Sequence, residues 1–196
     1  MRRRPFTSKQ ELRREMRTRL AALGPGERRR LAAAVAERIL SLDRLGRPRR
    51  ILSCLSFGIE IDTRDLVERL LTAGHEIFVP RADMPTRALS IHPYPCDLER
   101  LAFGLEQPVA NNAVLADDEI DGGIDLALIV GLAFDRRGYR LGHGGGFFDR
   151  FLAAHPVPTV GLACELQIVD RLPVEPHDRP MDRIVTERGI LMPGES

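Results

Sequence analysis

The sequence predicts an α/β protein, a single three-layer α/β/α domain over residues 1–196 with a largely parallel sheet between helices. Three observations carry this expectation. Stretches with apolar residues at helical spacing alternate with short apolar runs, the pattern of strands joined by covering helices. Two of those runs, Asp125 to Val130 and Thr159 to Ala163, are almost continuously hydrophobic, as strands buried on both faces are. Between them, four glycines in five positions, Gly142 and Gly144 to Gly146, precede a further helical stretch.

The elements can be read in order. Thr7 or Ser8 can cap a first helix reaching about Leu23, with Leu12, Met16, Leu20 and Leu23 on one stripe and Gly24-Pro25-Gly26 ending it. A second helix from about Glu27 to Leu42 repeats the pattern with Leu31, Val35, Ile39 and Leu42, and Gly46-Arg47-Pro48 breaks it. Ile51 to Phe57 reads as a strand. A helix capped by Asp62 or Thr63 and stopped at Gly74 follows, then a strand from Glu76 to Pro80, which together make a βαβ unit. Residues 93–120, with Pro93, Pro95, Pro108 and Asn111-Asn112, read as an irregular surface excursion. After the buried strand ending at Val130 a turn leads to the glycines, and a helix is expected from about Phe147 to Ala154.

Composition narrows the classes. A chain of 196 residues, 43% hydrophobic, is long enough to bury a sizeable core. The longest apolar run, Leu126 to Phe134, is far short of the ~20 residues a membrane helix needs. The basic start, Met1 to Arg4, is followed by Thr7-Ser8-Lys9-Gln10-Glu11 rather than an apolar stretch, so no signal peptide is expected and the cytoplasm is the expected location. Cys54, Cys96 and Cys164 form no C-x-x-C pair and read as small buried hydrophobes. The net charge of +1 conceals a basic first quarter, with 16 Lys and Arg against 5 Asp and Glu in residues 1–50. A nucleic-acid partner is not expected, because Phe6 is the only aromatic in that segment and stacking platforms are lacking.

The chemistry concentrates in Gly131 to Leu152. Glycines let the backbone approach a ligand and turn several N–H groups one way, and a helix N-terminus adds a positive dipole end. Both suit phosphate. The Gly-Lys-Ser/Thr ending of a P-loop is missing, and on glycine count alone a plain flexible turn is as good a reading. On the first helix, Lys9 projects onto the apolar stripe, Arg13 onto its edge and Arg17 one step further round. That placement suits a ligand held between helix and body, although spacing alone favours a solvated basic helix whose side chains snorkel.

The stretch Gly131-Leu132-Ala133-Phe134-Asp135, Gly138, Arg140-Leu141-Gly142, Gly144 and Gly146-Phe147-Phe148-Asp149-Arg150 closely resembles the signature of the 5-formyltetrahydrofolate cyclo-ligase family, also called methenyltetrahydrofolate synthetases. Lys9-Gln10-Glu11-Leu12-Arg13 resembles the family's amino-terminal motif, Leu55 with Glu60-Ile61-Asp62-Thr63 its folate segment, and Pro173 to Asp178 with Met181 to Glu187 its closing motif. The resemblance implies a Rossmann-like enzyme whose partners are the small molecules ATP and 5-formyltetrahydrofolate, with magnesium as cofactor and neither nucleic acid nor membrane, working as a monomer. It implies ATP binding by Lys9, Gln10, Glu11, Leu12 and Arg13, the basic helix within residues 1–24, and by Arg140, Leu141, Gly142, His143, Gly144, Gly145, Gly146, Phe147 and Phe148. Folate binding is implied for Leu55, Glu60 and His143 through Phe147, and magnesium binding for Asp149 and Asp178. No residue is assigned as a nucleophile.

Each carried-over role has a plainer counterpart: Glu60 as a helix-entry carboxylate, Asp149 as a helix cap. Phe147 and Phe148 stand where the family commonly has two tyrosines, so the rings remain and both hydroxyls are lost. A relative with changed substrate or no ligase activity, still binding ATP and a folate-like heterocycle, is therefore the alternative.

Overall fold

The structure, a computed structural model, describes residues 8–42, 45–46 and 49–194. Helix α1 (Lys9–Ala21) begins at Ser8, whose hydroxyl accepts the Glu11 N–H at 3.1 Å and so satisfies one of the unpaired amides of the first turn. Thr7, the other cap expected, lies outside the described residues, as do Met1 to Arg4, Phe6 and the Arg47-Pro48 break. Gly24-Pro25-Gly26 does not end α1; it starts α2 (Pro25–Leu40), with Gly24 as cap and Pro25 at the first helical position. Proline suits that place because the N–H it lacks would have no partner there.

Strand β1 (Arg50–Ser53), helix α3 (Arg64–Thr72) and strand β2 (Glu76–Ala82) form the expected βαβ unit, with β1 and β2 parallel. The strand stops at Ser53 rather than Phe57, because residues 54–63 turn into a loop held by two side chains. Thr63 Oγ1 donates to the Cys54 carbonyl at 2.7 Å and accepts the Ser56 N–H at 3.0 Å, while Ser56 Oγ accepts the Thr63 N–H at 3.0 Å. The excursion after β3 (Leu89–Tyr94) is not irregular throughout: β4 (Leu98–Arg100) and β5 (Glu106–Pro108) form an antiparallel hairpin, and α4 (Asp117–Ile120) follows.

The main sheet continues with β6 (Leu126–Val130), β9 (Thr159–Leu162), β11 (Arg183–Val185) and β12 (Ile190–Leu191), in the order β12-β11-β9-β6-β1-β2-β3. The five central strands are parallel and both edge strands antiparallel. Alternation along β6 shows why its sequence is continuously apolar. Leu126, Leu128 and Val130 join the core under α1, α2 and α3, whereas Ala127 and Ile129 join the core beneath α4 and α5 (Phe147–Ala154). The result is the expected α/β/α sandwich. Between β6 and α5, where only a turn was expected, β7 (Ala133–Asp135) and β8 (Arg140–Leu141) form a hairpin joined by β10 (Ile168–Val169). Its turn is organised by the buried Asp135 carboxylate, which accepts from the Arg137 guanidinium and from the N–H groups of Arg137, Tyr139 and Leu172.

Candidate active site

The carboxyl ends of β1 and β6 open into a cavity of about 380 Å³, where ligands of open parallel sheets bind. Its floor is Cys54, Leu55 and Val130. Burial pushes the Cys54 thiol up to about 12, so it stays protonated at neutral pH and is no thiolate nucleophile.

One wall is the glycine turn. After β8 the chain runs through Gly142 to Gly146 and enters α5 at Gly146, whose φ of +67° only glycine adopts readily. Arg13 reaches across from α1 and donates through Nε to the Gly142 carbonyl at 2.9 Å. Arg140, its side chain only 5% exposed, donates to Asp149 Oδ1 at 3.0 Å and to the Arg179 carbonyl at 3.1 Å. Burial pulls the Arg140 guanidinium below its ordinary value, and the nearby Asp149 and Asp178 carboxylates oppose that pull. Asp149 also accepts the Arg179 N–H at 3.1 Å; it makes no cap bond, because Gly146 holds the cap position.

Lys9, at the start of α1, places Nζ 2.7 Å from Asp178 Oδ2 and 2.6 Å from Glu175 Oε2. Burial lowers the proton affinity of Lys9, but the two carboxylates outweigh it and the value is raised. Burial likewise pushes Asp178 up, and its bonds from Lys9 and the Glu175 N–H outweigh that and hold it below the ordinary range. Glu175, His177 and Asp178 offer ligand atoms that all lie within 4.8 Å of one another.

Next to the glycine turn, and touching it through His143, the lining is aromatic and carries one buried acid. Glu60, its side chain 4% exposed, sits in the stapled loop after β1 and lies 3.1 Å from His143 Nε2. It does not cap α3: Thr63 holds the cap position, and Asp62 accepts the Arg64 N–H. The His143 ring packs on Phe57 at 4.9 Å between centroids, and Phe57 meets Phe103 edge-on at 5.7 Å.

The cavity thus brings together Lys9, Arg13, Leu55, Glu60, every residue from Arg140 to Asp149, and Asp178. Three expected ATP contacts are not on it. Leu12 is fully buried in the core, and Gln10 and Glu11 are exposed, since at 100° per residue they turn away from the Lys9 and Arg13 face. Sequence reasoning missed Phe57, Phe103 and Glu175. Phe57 and Glu175 sit inside or beside motifs already singled out, whereas Phe103 lies at the tip of a hairpin with no periodic signature.

A glycine turn beside Lys9, Arg13 and Arg140 at the carboxyl ends of a parallel sheet, adjoining aromatic rings and a buried acid, is the arrangement of an α/β enzyme site. The chain belongs to the 5-formyltetrahydrofolate cyclo-ligase family, whose sequence model matches residues 5–187. A 5-formyltetrahydrofolate cyclo-ligase of Escherichia coli K12 is 30% identical over 185 residues, 87% of this chain and 96% of that protein. A probable 5-formyltetrahydrofolate cyclo-ligase of Caenorhabditis elegans is 29% identical over 191 residues, 91% of this chain and 92% of the relative. Among solved structures, the 5,10-methenyltetrahydrofolate synthetase of Aquifex aeolicus superposes with a TM-score of 0.80 at 28% identity, covering 96% of this chain and 94% of that one. The family and its solved members support an enzyme of the ligase class with 5,10-methenyltetrahydrofolate synthetase activity. Among the described residues, no helix is long and apolar enough to cross a membrane.

Proposed function

We propose that the protein catalyses the ATP- and magnesium-dependent cyclisation of 5-formyltetrahydrofolate to 5,10-methenyltetrahydrofolate, with release of ADP and phosphate. The observation that carries this reading is one cavity in which a glycine turn with Lys9, Arg13 and Arg140 adjoins aromatic rings and a buried carboxylate. The first suits the ATP phosphates, through backbone N–H groups and Lys9, Arg13 and Arg140. The second suits a pterin, whose N–H-rich edge a carboxylate such as Glu60 can take with two hydrogen bonds while Phe57, Phe103, His143 and Phe147 wall the rings.

The formyl oxygen on N5 attacks the γ-phosphorus and ADP leaves, which turns a poor leaving oxygen into phosphate. N10 then attacks the activated carbon, phosphate departs with the former formyl oxygen, and N10 gives up its proton. Phosphoryl transfer of this kind depends on positioning and charge neutralisation more than on protein nucleophiles. Since Phe147 and Phe148 carry no hydroxyl, no proton is assigned to a phenol. Magnesium would supply charge neutralisation at the phosphates, held by Asp149 and Asp178. Asp149 fits as it stands: among the described residues both hydrogen bonds it accepts fall on Oδ1, leaving Oδ2 for a cation, and hard carboxylate oxygens suit this ion. Both oxygens of Asp178, by contrast, accept from Lys9, so Asp178 would have to give up part of that contact to join it.

The test is an absorbance assay for methenyl-folate formation from 5-formyltetrahydrofolate, with and without ATP and magnesium. Strictly ATP-dependent turnover is expected, because an amide-like formyl group does not cyclise readily until its oxygen becomes a leaving group. No turnover, together with tight binding of a different heterocycle, would favour the changed-substrate relative.

A further inference from the structure

Arg150, the fourth residue of α5, lies behind the glycine turn rather than in the cavity. Its Nη2 donates to the Gly145 carbonyl at 2.6 Å, and its Nε donates to the Arg87 carbonyl at 3.3 Å. A Cβ built on Gly146 would stand 3.3 Å from the same guanidinium, so the side chain packs flat against the back of the turn. Arg87 lies in the connection between β2 and β3 and holds φ at +59°, a conformation that non-glycine residues seldom adopt. Met84 and Leu89, on either side of Arg87 in the chain, line the cavity. One guanidinium therefore joins the glycine turn to the β2–β3 connection.

The glycine turn needs such a tie. The first turn of α5 has no side-chain cap, because its cap residue is Gly146, and a run of three glycines has wide backbone freedom. For amides to face a phosphate, the peptide planes must be fixed, and fixing a carbonyl from behind fixes the N–H of the same plane. Holding the Gly145 carbonyl orients the peptide whose N–H belongs to Gly146. We infer that Arg150 is a positioning residue for nucleotide binding: it sets the Gly145–Gly146 peptide plane from outside the site and registers the glycine turn against the β2–β3 connection. The inference rests on the reading that this turn receives the phosphates of ATP.

The full-length chain should be titrated calorimetrically with a non-hydrolysable ATP analogue in the presence of magnesium, as wild type, Arg150→Met and Arg150→Lys. Turnover should be measured in parallel. Arg150→Met is expected to weaken analogue binding and raise the KM for ATP by roughly tenfold, with kcat and the KM for folate changed far less, as for a lost bond from a charged donor. Arg150→Lys should recover most of that affinity, since an ammonium can still reach the Gly145 carbonyl although it cannot hold both. A folded Arg150→Met variant that binds the analogue as tightly as wild type would overturn the inference. So would a methionine variant that loses its fold, since a contact that only sets the turn is not what holds the domain together. Wild-type protein that fails to bind the analogue would instead overturn the ATP reading itself.

Discussion

Lys9 and Asp178 stand 169 residues apart in the chain, and the Lys9 ammonium donates to both oxygens of the Asp178 carboxylate, at 2.9 and 2.7 Å. The contact ties the start of the first helix to the loop before β11. It closes one side of the cavity, with the Lys9 ammonium in its lining. Lys9→Ala should weaken ATP binding by about ten- to a hundredfold, the worth of a charge-assisted contact, while folate binding changes little. Equal losses for both ligands, measured by titration, would make the helix a structural element only.

The same pair predicts how stability depends on pH in metal-free protein. Asp178 is held below its ordinary value, so its contribution is present above about pH 4 and is lost as the carboxylate protonates. Lys9 is held above its ordinary value, so its contribution is present below about pH 10 and is lost as the solution becomes more alkaline. The melting-temperature gap between wild type and Asp178→Asn, measured in chelator, should be widest between those limits and shrink on both sides. A gap that stays constant from acid to alkali would remove the pair as its cause.

Much of the sheet was legible because its signals are local. A strand buried on both faces must be apolar at every position, and Leu126 to Val130 is; a tight entry into a helix at positive φ favours glycine, and Gly146 supplies it. The Lys9 to Asp178 bond was beyond reach in detail because nothing in either sequence neighbourhood specifies the other. The β4–β5 hairpin was hidden for a different reason. Its strands are three residues each, too short to show alternation, and its prolines read as breakers although Pro108 sits at the end of an edge strand, where its missing N–H costs no ladder bond. Phe103 therefore gave no sign that it would meet Phe57.

Glu60→Gln should raise the KM for 5-formyltetrahydrofolate by about ten- to a hundredfold and leave ATP affinity nearly intact, because the amide keeps one acceptor and loses the charge. Thr63 and Asp62 already serve the start of α3, so no large fall in melting temperature is expected from the loss of a helix-entry carboxylate. A fall in melting temperature with unchanged substrate affinity would return Glu60 to a structural role.

Two glycines of the turn should respond differently to the same substitution. A Cβ at Gly145 would lie 2.3 Å from the Phe147 ring, whereas one at Gly142 meets nothing within 4 Å. Displacing a ring that lines the cavity costs about 1–3 kcal/mol by the measure of overpacked cores, so Gly145→Ala should raise the KM values by about tenfold. Gly142→Ala should stay close to wild type. Equal behaviour of the two variants would mean that the Phe147 ring yields without consequence.

Asp149 Oδ1 is engaged by Arg140 and by the Arg179 N–H, while Oδ2 is the oxygen left for a cation. Asp149→Asn keeps the size of the side chain and one oxygen able to accept both bonds, and it removes the negative charge that a hard dication needs. The magnesium concentration for half-maximal turnover should therefore rise by about tenfold or more, with direct binding of manganese to the ATP-loaded protein weakened in parallel. The Arg140 guanidinium is almost fully buried and loses its counter-charge in this variant, so some fall in melting temperature is expected even in chelator. That fall cannot imitate the metal effect, because it is present without metal and does not depend on magnesium concentration. Asp178→Asn should move the magnesium requirement in the same direction while also releasing Lys9, so its ATP affinity should shift as well. Unchanged magnesium dependence in both variants, with only their melting temperatures lowered, would leave the two carboxylates as counter-charges for Arg140 and Lys9 and nothing more.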